Sequence, residues 1–136
     1  MEYEILNLNL ASPLFYILDT ESAPFDYRED GEKLFCFQLE EAEYLRFEPD
    51  KEKLIGRLLF SGKVAENNTE GAIELPSGNY IFAQEKRHLN REEIADMAAE
   101  IQSEALWQRL KPGDKLFLRY LYEDGNWVTQ LFRPYL

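Results

Sequence analysis

The sequence predicts an α+β fold: an antiparallel sheet of about seven strands with one long helix, residues 91–110, packed across it. Several short segments alternate apolar and polar residues with period two, which is typical of half-buried strands. Residues 91–110 instead carry apolar side chains at the three- and four-residue spacing of an amphipathic helix. Such a helix can bury its apolar face only against another element, here the sheet. The 136 residues are enough for one domain, 1–136.

The first elements are predicted from alternation and turn residues. Residues 2–10 alternate leucine with asparagine between Leu6 and Leu10, which indicates a half-buried strand. Residues 14–18 are a short apolar segment, and the sequence leaves its type open. Residues 19–32 contain a proline, a glycine and many acids, so we predict an exposed loop.

The middle of the chain contains two further strands and one ambiguous segment. Residues 33–39 are rich in aromatics and predict a strand, and residues 40–43 a turn. Residues 44–48 alternate and predict another strand, which stops at a proline. Residues 53–64 fit a helix or a strand, and a central glycine favours the strand. Residues 65–72 are polar and predict a loop.

A capping signal marks the start of the helix. Residues 76–84 predict a turn followed by a strand. Asn90 and Glu93 then have the spacing of a capping box, and the segment 111–113 (Lys-Pro-Gly) stops the helix. The predicted apolar face consists of Ile94, Met97, Ala98, Ile101, Ala105 and Leu106.

The chain ends in a predicted β-hairpin. Residues 116–122 and 127–133 alternate in the manner of strands, and Asp124-Gly125 between them favours a tight turn. Residues 51–136 therefore form a strand–helix–strand–strand unit.

Charge is distributed unevenly along the chain. Residues 1–50, the β-rich first part, hold thirteen acids and three bases, whereas residues 51–136 hold thirteen and twelve. A negative field of this kind repels phosphate backbones, so we expect no direct nucleic-acid binding. The acidic part is either a solvated surface, the default, or a docking face for a basic protein partner.

The sequence predicts a cytoplasmic protein with no membrane segment. The start is acidic where a signal peptide needs basic residues, and the longest early apolar run, 14–18, has only five residues. A bilayer span needs about 20. The single cysteine is compatible with a reducing compartment.

Catalytic and metal chemistry have few candidate residues. Cys36 and His88 are the only cysteine and histidine, too few for a four-coordinate zinc site. Cys36 lies in an apolar strand and is expected to be a buried structural thiol. His88 is expected on an exposed loop before the helix, and carboxylate pairs are interpreted as solvated faces. We therefore assign no catalytic residue, no metal ligand and no cofactor.

Aromatic residues of the second half are the candidate ligand-binding residues. Large amphipathic rings at a seam between sheet and helix can line a cleft, or they can be ordinary packing. The candidates are Tyr80, Trp107, Tyr120, Tyr122 and Trp127. Arg119 and Arg133 point either inward to a buried acid or, by default, outward to solvent.

One short motif carries a family resemblance. Residues 75–80 (Leu-Pro-Ser-Gly-Asn-Tyr) resemble the turn-and-strand of the gyrase-inhibitor-like family, which is similar to effector-binding domains of multidrug-sensing transcription regulators. The resemblance runs from residue 54 to the end and implies a non-catalytic domain that binds an amphipathic small molecule. The family's first helix has no counterpart in residues 1–50, unless it lies near 11–30, and its acidic cleft residue is not mapped.

Overall fold

Eight β-strands and one α-helix form the regular structure of the residues that the computed structural model describes, which are 4–19, 24–28, 31–40, 46–64 and 72–136. The strands are β1 Glu4–Leu10, β2 Leu14–Asp19, β3 Gly31–Gln38, β4 Arg57–Val64, β5 Ala72–Leu75, β6 Gly78–Glu85, β7 Lys115–Glu123 and β8 Asn126–Pro134. The helix is α1 Arg91–Trp107, and short 3-10 helices occupy Pro24–Asp26 and Lys51–Leu54. The α+β class is confirmed, with eight strands instead of about seven.

The difference in strand count has a local cause. The segment of open type, 14–18, is strand β2, and β5 is a separate strand. The predicted strand at 44–48 is wrong for its described part, because Arg46 and Phe47 are not extended into a sheet. Their carbonyl oxygens instead accept hydrogen bonds from α1, from Gln102 Nε2 at 2.6 Å and Ser103 Oγ at 3.0 Å.

Several sequence predictions fall on residues outside the described ranges. These are most of the turn at 40–43, the first two residues of 44–48, part of the loop at 19–32 and nearly all of the loop at 65–72. The strand interpretation of 53–64 is confirmed from Arg57 onward, after the 3-10 helix.

The sheet is antiparallel throughout and follows the order β1-β6-β8-β7-β3-β4-β2-β5. Its two ends are connected through one bent ribbon. The β1–β6 pairing ends at Leu10 opposite Gly78, and the β2–β5 pairing begins at Leu14 opposite Leu75. Only residues 11–13 and 76–77 separate the two pairings. The ribbon therefore turns a corner and curls the sheet into a half-barrel.

The concave face of the half-barrel is filled by a core of its own. Leu8 of β1 and Leu14 of β2 come from opposite ends of the sheet order, yet both pack on this cluster. Its buried members are Tyr16, Leu34, Cys36, Leu75, Tyr80, Phe82, Phe117 and Phe132. Gly62 allows this closure, because a Cβ there would lie 2.7 Å from Ile73 Cδ1 and 2.8 Å from Tyr16 Cβ.

Helix α1 covers the other face of the sheet and forms the larger core. The predicted capping box is confirmed, since the Asn90 side chain accepts from Glu93 N at 2.9 Å and the Glu93 carboxylate accepts from Asn90 N at 3.1 Å. The helix ends at Trp107, three residues earlier than predicted. Arg109 has a φ of 61° and its N–H donates to Leu106 O, so the chain leaves the helix before Pro112 is reached.

The predicted C-terminal hairpin is confirmed. Strands β7 and β8 pair from Phe117 opposite Phe132 to Glu123 opposite Asn126. Asp124 and Gly125 have φ values of 52° and 81°, the left-handed pair that a two-residue hairpin turn requires.

Candidate functional site

The five aromatic residues singled out from the sequence lie in three places. Tyr120, Tyr122 and Trp127 are neighbours, with ring centroids 6.3 Å apart for Tyr120–Trp127 and 4.7 Å apart for Tyr122–Trp127. Tyr80 is 2% exposed and belongs to the concave core on the opposite face of the sheet. Trp107 ends helix α1 and is 79% exposed. No single cleft contains all five.

The seam around Tyr120 is packed with other rings. The ring is fully buried, His88 stacks on it at 4.4 Å, and Tyr27 and Trp127 lie 6.3 Å away. Its hydroxyl donates to Leu89 O at 2.8 Å. A ligand could contact Tyr120 only by displacing one of these groups.

His88 is part of this ring cluster, so the expectation of an exposed surface histidine is wrong. The imidazole is half-buried between Tyr120 and Trp127, and its Nε2 contacts Arg28 and the Tyr27 carbonyl. The pKa of His88 is lowered mainly by burial and, to a smaller extent, by the nearby Arg28 guanidinium. Its Nδ1 atom is buried without a hydrogen-bond partner among the described residues. The histidine therefore favours its neutral form.

Arg119 points inward, which corrects the default expectation of an outward side chain. It donates to Glu32 Oε1 at 2.6 Å and to Gln130 Oε1 at 3.2 Å on the concave face. Tyr16 donates to the other oxygen of Glu32 at 2.7 Å, and Gln130 donates to Gln84 at 3.0 Å. This chain of contacts joins β2, β3, β7, β8 and β6, so its first role is to hold the half-barrel in register.

Arg133 is also inward, again against the default expectation. Its side chain is 1% exposed, and it donates to Gly113 O at 2.6 Å and to Gln102 Oε1 at 2.8 Å. Gln102 in turn donates to Arg46 O at 2.6 Å. The arginine thus links β8 to the buried side of α1 and, through Gln102, to the segment before the 3-10 helix Lys51–Leu54.

A groove of about 960 Å³ lies along the outer side of α1, and we call it the α1 groove. Its volume is at the upper end of the range typical of ligand sites. Trp107 and Phe47 contribute rings that are 79% and 56% exposed. Ile5 of strand β1 and Pro49 add further apolar surface. Five carboxylates also line it, against one lysine: Glu48, Glu93, Asp96, Glu100 and Glu104.

Local hydrogen bonds build this groove. The backbone of Arg46 and Phe47 is bound to α1 by Gln102 and Ser103, which leaves the Phe47 ring facing solvent. At the far end, Gln108 donates to Glu104 at 2.9 Å and accepts from the Asn7 side chain of β1 at 2.8 Å. The groove is therefore bounded by a backbone segment hydrogen-bonded to α1 at one end and by hydrogen-bonded side chains at the other.

The groove carboxylates differ in the hydrogen bonds and ion pairs that they already make. Glu93 closes the capping box and contacts Arg87, whose hydrogen bond holds the pKa of Glu93 below its usual range. Asp96 pairs with Lys51 at 2.9 Å, but both side chains are more than half exposed. Glu100 is exposed on the next turn. Exposed pairs contribute little, so Asp96 can exchange Lys51 for another cation.

From the sequence, these carboxylates were expected on solvated faces, and the groove that they share was not predicted. The signal was present as spacing: Asp96, Glu100 and Glu104 recur every four residues and so share one side of the helix. What the sequence could not supply was Phe47, which reaches the groove from a segment 49 positions before Asp96.

Cys36 is the buried thiol that the sequence predicted. It is 1% exposed, and burial raises its pKa to about 12, so the reactive thiolate is disfavoured. Within the described ranges, no three His, Cys, Asp or Glu side chains are grouped to hold a metal ion. No helix in those ranges is both long and apolar enough to cross a bilayer.

Comparison with known proteins adds no family. A scan against models of protein families finds no match, and a search of curated proteins also finds none.

Proposed function

We propose that the chain is a binding domain without catalytic chemistry, and that it binds amphipathic cations in the α1 groove. The observation that carries this proposal is the presence of two exposed rings, Trp107 and Phe47, in one groove with a carboxylate majority. The resemblance of residues 75–80 to the gyrase-inhibitor-like family supports the binding of an amphipathic small molecule, and its cationic character is argued from the groove carboxylates alone. Of the five aromatic residues that the sequence favoured, Trp107 lines this groove, whereas Tyr80, Tyr120, Tyr122 and Trp127 do not.

Rings and carboxylates recognise complementary parts of such a ligand. An apolar body can cover the exposed part of Trp107, and a cation over the indole face gains about 0.5–1 kcal/mol at an exposed site. Each exposed contact with a carboxylate such as Glu100 adds up to about 1 kcal/mol. These two terms sum to about 2 kcal/mol, which corresponds to a Kd on the order of tens of millimolar, and the apolar contact with Trp107 lowers the Kd toward the millimolar range.

The experiment is an NMR titration that follows the two indole N–H signals. Benzyltrimethylammonium should shift the Trp107 signal and leave that of Trp127 unchanged, whereas uncharged benzyl alcohol should shift Trp107 much less. The Trp107→Ala variant assigns the signal, and Glu100→Gln should weaken binding measurably. Glu123→Gln, an exposed acid on the hairpin, is the matched control and should have no effect.

Two results would contradict the proposal. One is the absence of any Trp107 shift up to tens of millimolar cation. The other is a shift confined to Trp127, which would return the site to the packed seam around Tyr120.

A further inference from the structure

We propose that the natural occupant of the α1 groove is a basic amphipathic helix of a partner protein, with Lys or Arg at every fourth position. This inference rests on the proposed function and deepens it, since it names the kind of cation that the groove accommodates. The carboxylate row, defined as Asp96, Glu100 and Glu104, is its main support.

The carboxylate row has the repeat of a helix. Asp96, Glu100 and Glu104 follow one another at four-residue steps, which places their Cα atoms about 6 Å apart along the axis. A partner helix with basic residues at positions i, i+4 and i+8 presents cations at the same interval. A small organic ligand with one charge can meet only one member of this row.

The neighbouring row of α1 forms a low floor of the groove. Ala99 and Ser103 both line the groove with short side chains, and Ser103 also donates to Phe47 O, so the Phe47 segment forms a wall against which a partner helix would lie along the carboxylate row. Trp107 continues their row at the next four-residue step and is 79% exposed. Tryptophan is enriched among the residues that dominate protein interfaces.

Charge decides between the possible kinds of partner. The chain has a net charge of −11, and the groove itself has five carboxylates and one lysine. A nucleic acid or an anionic membrane surface would be repelled. A second copy that presents the same face would place carboxylate against carboxylate. A basic helix is the occupant that compensates the row.

The test compares two helical peptides of identical composition, both with three lysines and the same apolar residues. In the aligned peptide the lysines stand at i, i+4 and i+8, and in the mis-spaced peptide they are distributed around the helix. Calorimetry at about 50 mM and 300 mM salt measures both, with the triple variant Asp96→Asn, Glu100→Gln, Glu104→Gln beside the unchanged protein. Circular dichroism verifies that the variant is folded.

A second triple variant serves as the control for net charge. Glu4→Gln, Glu123→Gln and Asp124→Asn remove the same number of charges from exposed positions outside the groove. A general effect of protein charge would weaken peptide binding to both triple variants equally.

The proposal predicts that the aligned peptide binds at least about tenfold more tightly than the mis-spaced one. It also predicts that this preference is lost in the carboxylate-row variant, retained in the control variant and reduced at high salt. Equal affinity for the two peptides, with the Trp107 signal still shifted by benzyltrimethylammonium, would overturn the helix inference and leave the proposed function standing. No peptide binding and no Trp107 shift would overturn both.

Discussion

The two tryptophans offer a direct comparison of an open and a packed surface. Trp107 is 79% exposed, whereas Trp127 is half-buried and contacts His88 at 5.0 Å and Tyr122 at 4.7 Å between ring centroids. We predict that Trp107→Ala changes the free energy of unfolding by less than about 0.5 kcal/mol. Trp127→Ala should lower it by about 3 kcal/mol.

The larger value follows from the surface that Trp127 buries. A fully buried tryptophan removes roughly 200 Å² from water, which at about 25 cal/mol per Å² is about 5 kcal/mol. A half-buried ring contributes about half of that, and the aromatic contacts add roughly 0.5–1.5 kcal/mol. For a domain of this size, the loss corresponds to a fall in Tm of roughly 10 °C.

Urea unfolding followed by circular dichroism measures both variants, and the remaining tryptophan is an internal check. In Trp107→Ala the emission comes from Trp127 alone, so it should be blue-shifted in the folded state and move to the red on unfolding. The emission of Trp127→Ala should already be red-shifted in the folded protein. Similar losses of stability in the two variants, or a loss above about 2 kcal/mol for Trp107→Ala, would refute the assignment of Trp107 to an open groove.

Three further predictions concern the parts of the fold that hold the site in place. Glu32→Gln removes the charge that faces Arg119, and the two side chains are only 18% and 19% exposed. The free energy of unfolding should therefore fall by about 1–3 kcal/mol. An unchanged urea midpoint would contradict the inward ion pair. Gly62→Ala should destabilise by about 1–3 kcal/mol, because the new methyl group meets Ile73 and Tyr16, and normal stability by thermal denaturation would argue against the tight corner. Because the pKa of His88 is lowered in the folded protein, the unfolded chain binds more protons than the folded protein as the pH drops through and below the ordinary value of 6.5, so the free energy of unfolding should fall over that range. His88→Phe should flatten this dependence in urea titrations between pH 5 and 8. An equal slope in the two proteins would refute the prediction.

Local patterns predicted most of the elements and few of their contacts. The capping box of Asn90 and Glu93 and the turn at Gly125 involve residues only a few positions apart, so the relevant chemistry is visible in the sequence. The strand at 44–48 was predicted from alternation, but its described part binds α1, because Ser103 and its neighbour offer donors that alternation does not encode.

The candidate site shows the same division. Trp107 was selected as an aromatic ligand residue, and the structure places it in the α1 groove, which is also lined by Phe47 and Glu100 and not by Tyr120. Arg119 was assigned to solvent by default, since nothing near it in the sequence identifies Glu32 as a partner 87 positions away.

By itself, the sequence determined the α+β class, the helix start, the terminal hairpin and the burial of Cys36, because apolar periodicity and turn residues act over a few positions. Tertiary structure alone decided the strand order, the inward direction of Arg119 and Arg133, and the placement of Phe47 and Trp107 in one groove. Those features depend on which distant segments share a face once the bent ribbon has curled the sheet. Such contacts contribute free energy only when segments that are far apart in the sequence come together in the folded protein.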